Sequence, residues 1–261
     1  MKTIRTGIIF FLVAVTGNSQ NFMPETLIRK QADFMTTDHL GNVYLICPDG
    51  LYQYNSKGAL LHFFSDKSFG RISTIDASDP LKILIYNRDF RKAYLLDDKL
   101  SVQSVLNLDD LGIGLPELIC TSRHDGYWVY DQQLQRLIKY NSNLQKIIEG
   151  EILSSKIENL NPDFITETSE WILMNNVKDG IILLDRYGTY FKKIPLQDIS
   201  TFQAEENFVY YYREGKLIRH DLSRAVKEEM PIPGMNNLRT VRIEKNRLYA
   251  LSNEDLQIYS F

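Results

Sequence analysis

The sequence has few of the residues that metal centres and nucleic-acid surfaces require. It contains 2 cysteines and 4 histidines in 261 residues, and the histidines are scattered along the chain, whereas a zinc site needs about three or four convergent ligands. Its 33 acidic and 30 basic residues are well mixed and leave a net charge of −3, which argues against general binding of nucleic acid. The sequence therefore predicts no metal, no cofactor and no nucleic-acid partner.

Long hydrophobic runs are also missing, apart from GIIFFLVAV at positions 7–15. This run is shorter than the roughly 20 residues that a membrane span needs. It follows Lys2 and Arg5 and precedes Gly17-Asn18-Ser19, the pattern of a secretory signal peptide. We expect residues 1–19 to be removed on export and residues 20–261 to form a single domain without a membrane span.

Recognisable catalytic motifs are absent as well. No serine lies in a G-x-S-x-G elbow. The stretch DHLGNVYLICPDG (38–50) resembles a phosphate or calcium loop, but its Gly41-Asn42 pair leads into an apparent strand and DHLGNV holds one acid. We interpret its glycines and acids as turns between strands. A catalytic pair of carboxylates stays open as an alternative, because separation in space decides it; the candidates near predicted strand ends are Asp76, Asp79, Asp89 and Asp125.

The most informative feature of the sequence is a repeat of about forty residues. An apolar strand that ends in Asn or Asp recurs at Asn55, Asp97, Asn141, Asp185 and Asp221, and a last copy ends at Ser260. Each unit supports four short strands separated by Gly, Asn or Asp turns. A degenerate repeat of this length predicts an all-β fold, a six-bladed β-propeller with four antiparallel strands in each blade.

The sixth unit stops after three strands, whereas PETLIRKQA (24–32) precedes the first complete unit with nothing of its own to pair with. We expect this N-terminal segment to supply the missing strand and to close the ring. The alternatives are an antiparallel sandwich and a seven-bladed ring. Little helix is expected outside the linker ILSSKIENL (152–160).

Two further expectations concern single side chains. Cys47 falls in the second strand of the first unit and Cys120 in the innermost strand of the third, and these two units are not neighbours in a six-membered ring. Because a disulfide needs Cα atoms within about 7 Å, we predict two buried free thiols. A contact surface is expected where aromatic and charged residues concentrate, in YNRDFRKAY (86–94), the turn after Cys120 and FVYYYRE (208–214). Its predicted members are Arg88, Asp89, Arg91, Arg123, His124 and Tyr211. The alternative is that the tyrosines are only the outward half of amphipathic strands.

The blade pattern LGNVYL…GLYQYN resembles NHL-type and TolB-type propellers. The segments SDPLKILIYNRDFRKAYLLDDKLS and GYWVYDQQLQRLIKYNSNL resemble small exported six-bladed propellers of the Gram-negative phylum that runs type IX secretion. The resemblance implies a periplasmic or outer-membrane-associated, non-enzymatic scaffold that binds an envelope protein, such as an accessory subunit of the secretion machinery.

The alternative function is a propeller that binds or hydrolyses a small molecule in its axial funnel, as lactonase-like propellers do. That alternative predicts acids or histidines from at least three blades at one end of the channel. A channel lined by apolar side chains such as Ile75, Leu118 and Val241 would exclude it.

Overall fold

The computed structural model describes residues 22–234 and 237–261, in which the chain forms short strands and two turns of 3-10 helix. The first twelve strands are β1 (Met23–Ile28), β2 (Phe34–Thr37), β3 (Val43–Cys47), β4 (Gly50–Tyr54), β5 (Leu60–Phe64), β6 (Thr74–Asp76), β7 (Ile83–Asn87), β8 (Lys92–Leu96), β9 (Val102–Asn107), β10 (Pro116–Thr121), β11 (Tyr127–Asp131) and β12 (Arg136–Tyr140). The others are β13 (Lys146–Glu149), β14 (Phe164–Glu167), β15 (Ile172–Asn176), β16 (Gly180–Leu184), β17 (Tyr190–Ile194), β18 (Gln203–Glu205), β19 (Phe208–Arg213), β20 (Lys216–Asp221), β21 (Lys227–Pro231), β22 (Leu238–Glu244), β23 (Arg247–Ser252) and β24 (Leu256–Ser260). The 3-10 helices are Leu108–Leu111 and Leu153–Ser155, the second within the predicted linker. The predicted signal peptide and its cleavage point lie outside the described residues.

The strands form six four-stranded antiparallel sheets, which are the blades of a ring. Blades 1 to 5 take their strands consecutively, from β2–β5 to β18–β21, and blade 6 combines β22, β23 and β24 with β1. The prediction of a six-bladed propeller is confirmed, and the sandwich and the seven-bladed ring are excluded.

Strand β1 closes the ring as predicted. It pairs antiparallel with β24, with Leu27 opposite Gln257. The carboxylate of Glu25 accepts a hydrogen bond from Nε of Arg247 at 3.0 Å, and the Thr26 hydroxyl donates to the carbonyl of Lys57 in blade 1. The first strand of the chain thus covers the edge of blade 6 and contacts blade 1.

The Asn or Asp that marks each repeat has a local structural cause. In blades 1 to 4 the marker residue follows the third strand, and its side-chain Oδ1 accepts hydrogen bonds from the backbone N–H groups two and four residues later. These residues are Asn55, Asp97, Asn141 and Asp185. A short side chain that bonds its own backbone directs the chain into the fourth strand. The stretch at 38–50 forms a turn in the same way. The side chain of Asp38 accepts hydrogen bonds from the backbone N–H groups of Leu40 and Asn42, and Gly41 has φ +90°. The interpretation of this stretch as a turn between strands is confirmed.

The core lies between neighbouring blades, where apolar side chains of the inner three strands pack face to face. Both cysteines belong to it: Cys47 and Cys120 are buried and unpaired, as predicted. Burial raises the pKa of the Cys47 thiol to about 11 and that of Cys120 well above its ordinary value. Both groups are therefore protonated, weakly reactive thiols at neutral pH.

The innermost strands β2, β6, β10, β14, β18 and β22 run in the same direction along the axis. Hydrogen bonds show this, because they join the last residues of neighbouring inner strands: Thr121 to Asp76, and Thr37 to Glu244. We call the end at which these strands finish the front face; it carries the first turn of each blade. The opposite end, the back face, carries the second turns and the connections between blades.

Removal of β1 tests the closure. A chain that begins at residue 31 loses the β1–β24 ladder, and we expect its free energy of unfolding to fall by several kcal/mol, since each net hydrogen bond contributes about 1 kcal/mol. Urea unfolding would measure this loss, and light scattering would detect association through the uncovered edge of β24. A chain that begins at residue 22 is the control; equal stability of the two would contradict the role of β1.

Candidate functional site

The axial channel is blocked near the back face by aromatic rings. Phe34 in blade 1 and Phe164 in blade 4 lie on opposite sides of the ring, yet their ring centroids are 6.4 Å apart. Phe202, just before β18, packs edge-on against Phe164 at 5.3 Å. Because side chains from opposite blades meet on the axis, the channel is a blind pocket that opens at the front face.

This axial pocket has a volume of about 280 Å³ and is polar near its mouth. Phe164 and Phe202 form its floor, and Ile75 and Ile165 contribute apolar wall. Its charged lining residues come from blades 2, 3, 5 and 6 and comprise Asp76, Arg123, Glu205, Glu206, Arg242 and Glu244, and blade 1 adds His39. Among the described residues this cavity is lined by polar and charged side chains as well as by Ile75, so the condition that would have excluded an axial ligand is not met.

Arg242 is the most deeply buried charge in the pocket. Its side chain comes from β22, is only 6% exposed, and donates one hydrogen bond of 3.3 Å from Nη2 to the carbonyl of Phe202. It takes part in none of the ion pairs formed within 22–234 and 237–261. Burial lowers its pKa to about 10 although the charge of Glu244 opposes this, so the guanidinium is charged at neutral pH and little compensated.

Glu244 lies two residues further along β22, and its hydrogen bonds connect blade 6 to blades 1 and 5. Its Oε1 accepts hydrogen bonds from the hydroxyl of Thr37 in blade 1 at 3.1 Å and from Nε2 of Gln203 in blade 5 at 2.8 Å. Gln203 also bonds both backbone groups of Ile243. Burial raises the pKa of Glu244 to about 7; the charges of Glu205 and Asp38 add to the rise, and the Thr37 bond and Arg242 oppose it.

Other acidic side chains around the mouth form hydrogen bonds to neighbouring blades. Asp76 of blade 2 accepts the backbone N–H and the hydroxyl of Thr121 in blade 3. Glu167 of blade 4 accepts the indole N–H of Trp128 in blade 3 at 3.0 Å, and Glu206 of blade 5 accepts from Ser169 in blade 4. These carboxylates hold the front ends of the inner strands together.

The structure separates Asp89 from the other three candidate catalytic acids, which lie at the front face. Asp89 lies on the back face, in the turn between β7 and β8. Asp79 and Asp125 accept backbone N–H groups in front-face turns, from Leu81 and Ser142 respectively. Within the described part of the chain no group of three His, Cys, Asp or Glu residues has the arrangement of a metal site.

The predicted contact surface is divided by the fold. Arg88, Asp89 and Arg91 lie in a back-face turn, where Arg88 pairs with Glu117 at 2.7 Å and Arg91 with Asp109 at 3.0 Å. Arg123 and His124 lie in the front-face turn between β10 and β11 and are exposed.

Tyr211 was wrongly included in this surface. It is 1% exposed and packs in the core between blades 4 and 5, because its position on β19 points inward. His220 lies in the third strand of blade 5 and is buried.

Arg242 and Glu244 were missed by the sequence analysis. The signal was present in RTVRIE (239–244), where Arg242 and Glu244 occupy alternate positions of an innermost strand. Such residues face either a neighbouring blade or the axis, and both environments are costly for a charge without a partner. A charge on an innermost strand is therefore a better pointer to an axial site than a charge in a turn.

The chain is a six-bladed β-propeller, and comparison with known proteins agrees with this class. No protein-family model and no curated protein matches the sequence. Among solved structures, a catalytically inactive virginiamycin B lyase from Staphylococcus aureus with quinupristin is 12% identical with a TM-score of 0.60, covering 92% of this chain and 98% of that one. The WD40 domain of Pan2 from Neurospora crassa is 9% identical with a TM-score of 0.62, covering 94% and 96%. Such low identity shows the fold alone.

Among the described residues, no helix has the length and apolarity needed to cross a membrane.

The raised pKa of Glu244 predicts a pH-dependent stability. The folded protein keeps the proton on the Glu244 carboxyl group up to about pH 7, whereas an ordinary glutamate loses its proton near pH 4.5. Between these pH values the folded state binds more protons than the unfolded state. The free energy of unfolding therefore falls as the pH rises across that interval. We expect a loss on the order of 1 kcal/mol per pH unit, measured by urea unfolding. Glu244→Gln keeps an acceptor for Thr37 and should remove this slope. An unchanged slope in the variant would show that other groups cause it.

Proposed function

We propose that the protein is an exported, non-catalytic propeller that binds a small polar molecule in its axial pocket. The observation that carries the proposal is the combination of a blind axial cavity with a buried guanidinium that lacks a carboxylate partner. Concave, partly apolar cavities with a few convergent polar groups are the usual form of small-molecule sites. The signal-peptide pattern supports a periplasmic location, where the pocket would meet its ligand.

Binding without turnover is favoured by the state of the acids. General acid–base catalysis needs a group that is free to exchange a proton with the substrate. Asp76 and Glu206 instead accept hydrogen bonds from neighbouring blades. Moving a proton onto them would weaken the contacts that hold the ring together.

The test is a thermal-shift screen with amino acids, sugars, organic acids and amines, since a ligand that binds only the folded state raises the melting temperature. We expect at least one class to stabilise the protein. Ala204→Phe, which places a ring in the pocket, should abolish that shift, whereas Ala59→Phe, in an exposed turn of blade 1, should retain it. The bound compound should be recovered intact. Stabilisation that survives Ala204→Phe, or conversion of the compound, would overturn the proposal.

A second candidate function is docking of an envelope protein on the back face, as an accessory subunit of a type IX secretion machine would require. The observation that favours it is the turn holding Arg88, Asp89 and Arg91, at whose tip Phe90 is 53% exposed. Aromatic and arginine side chains dominate the energies of protein interfaces.

A pull-down from the native envelope tests the second candidate. The tagged protein should retain a partner that Phe90→Ser releases, while Leu40→Ser, an equally exposed apolar residue on the front face, should keep it. Elution of the tagged protein alone after mild extraction would contradict docking.

A further inference from the structure

The buried guanidinium of Arg242 has more hydrogen-bonding capacity than the fold uses. Arginine carries several N–H donors in a planar fork that suits a carboxylate. The described part of the chain provides this side chain with one long bond, to the carbonyl of Phe202 on the pocket floor. A buried charge in this state costs stability unless something pairs with it, so its surroundings are suited to an anionic group that enters the pocket.

The rim of the pocket imposes a second requirement. Three of its lining residues, Asp76, Glu205 and Glu206, are carboxylates and a fourth acid, Glu244, ionises near pH 7, against the two arginines Arg123 and Arg242. Glu205 is exposed and lies close enough to Glu244 for their charges to interact. A simple anion would be repelled at this mouth, whereas a ligand with a positive group facing outward would be attracted.

The size and the walls of the pocket limit the rest of the ligand. A volume of about 280 Å³ is at the small end for ligand pockets. The rings of Phe164 and Phe202 and the side chains of Ile75 and Ile165 provide apolar contacts between the floor and the rim. The space suits a short apolar group and not a large scaffold.

We propose that the axial pocket binds a zwitterion of the amino-acid type, with its carboxylate on Arg242 and its ammonium group beside the exposed carboxylate of Glu205. The inference rests on the proposed function and specifies its ligand class. The carboxylate pairs with the guanidinium, and the apolar side chain packs on the aromatic floor.

The experiment uses the full exported chain and isothermal titration calorimetry with the standard amino acids. For each binder, the decarboxylated amine and the deaminated acid are titrated as well. We expect the amino acid to bind and each singly charged relative to bind at least about tenfold more weakly, because each lacks one charge-assisted interaction. Equal affinity of the acid or the amine would overturn the proposal.

The Arg242→Met variant distinguishes a ligand-binding role of Arg242 from a purely structural role. Binding should weaken at least about tenfold, while the melting temperature should stay the same or rise, because an uncompensated buried charge is removed. Arg239→Met, on the same strand but bonded to the carbonyls of Ala32 and Asp33 outside the pocket, should keep the affinity. Unchanged affinity in Arg242→Met with a lowered melting temperature would assign Arg242 a structural role and overturn the inference.

The outcomes also separate the two proposals. If other small molecules bind in the pocket and Ala204→Phe expels them, but no amino acid binds, the ligand class is wrong and the binding function stands. If neither amino acids nor the wider set binds, both proposals fail.

Discussion

Closure of the ring is the constraint on which the rest of the structure depends. Each blade buries its faces only against its two neighbours, so the array is stable when its first and last members meet. The pairing of β1 with β24 brings this about by placing the first strand of the chain in the last blade. Closure fixes the six inner strands around one axis, and it is this arrangement that brings Phe34 and Phe164 together across the channel.

The front end of the ring holds its blades together with polar contacts. Asp76, Glu167 and Glu244 each accept hydrogen bonds from an adjacent blade. A carboxylate that is satisfied in this way can be partly buried at modest cost. Arg242 differs from these acids because it is buried deeply and forms a single long bond. The axial pocket therefore differs from the rest of the front end, because its buried base has fewer hydrogen-bond partners than the acids around it.

Most of the fold could be predicted because its signals are local. The turns at Asn55, Asp97, Asn141 and Asp185 are set by side chains that bond their own backbone, so the repeat is readable residue by residue. The incomplete sixth unit predicted the role of β1, since an open edge must be covered. The candidate site was less predictable. Tyr211 and Arg88 both suggest a surface in sequence, yet the first is in the core and the second in an ion pair on the back face.

The sequence by itself determined the number of blades, the strand order, the closing strand and the free state of both cysteines, because periodicity, turn chemistry and the separation of units are properties of the chain. The tertiary structure alone decided which side chains meet on the axis. These side chains come from distant parts of the sequence: Thr37 from blade 1, Phe164 from blade 4, Phe202 from blade 5, and Arg242 and Glu244 from blade 6. Their contacts depend on the direction of each inner strand and on the distance across the ring, which no local pattern encodes.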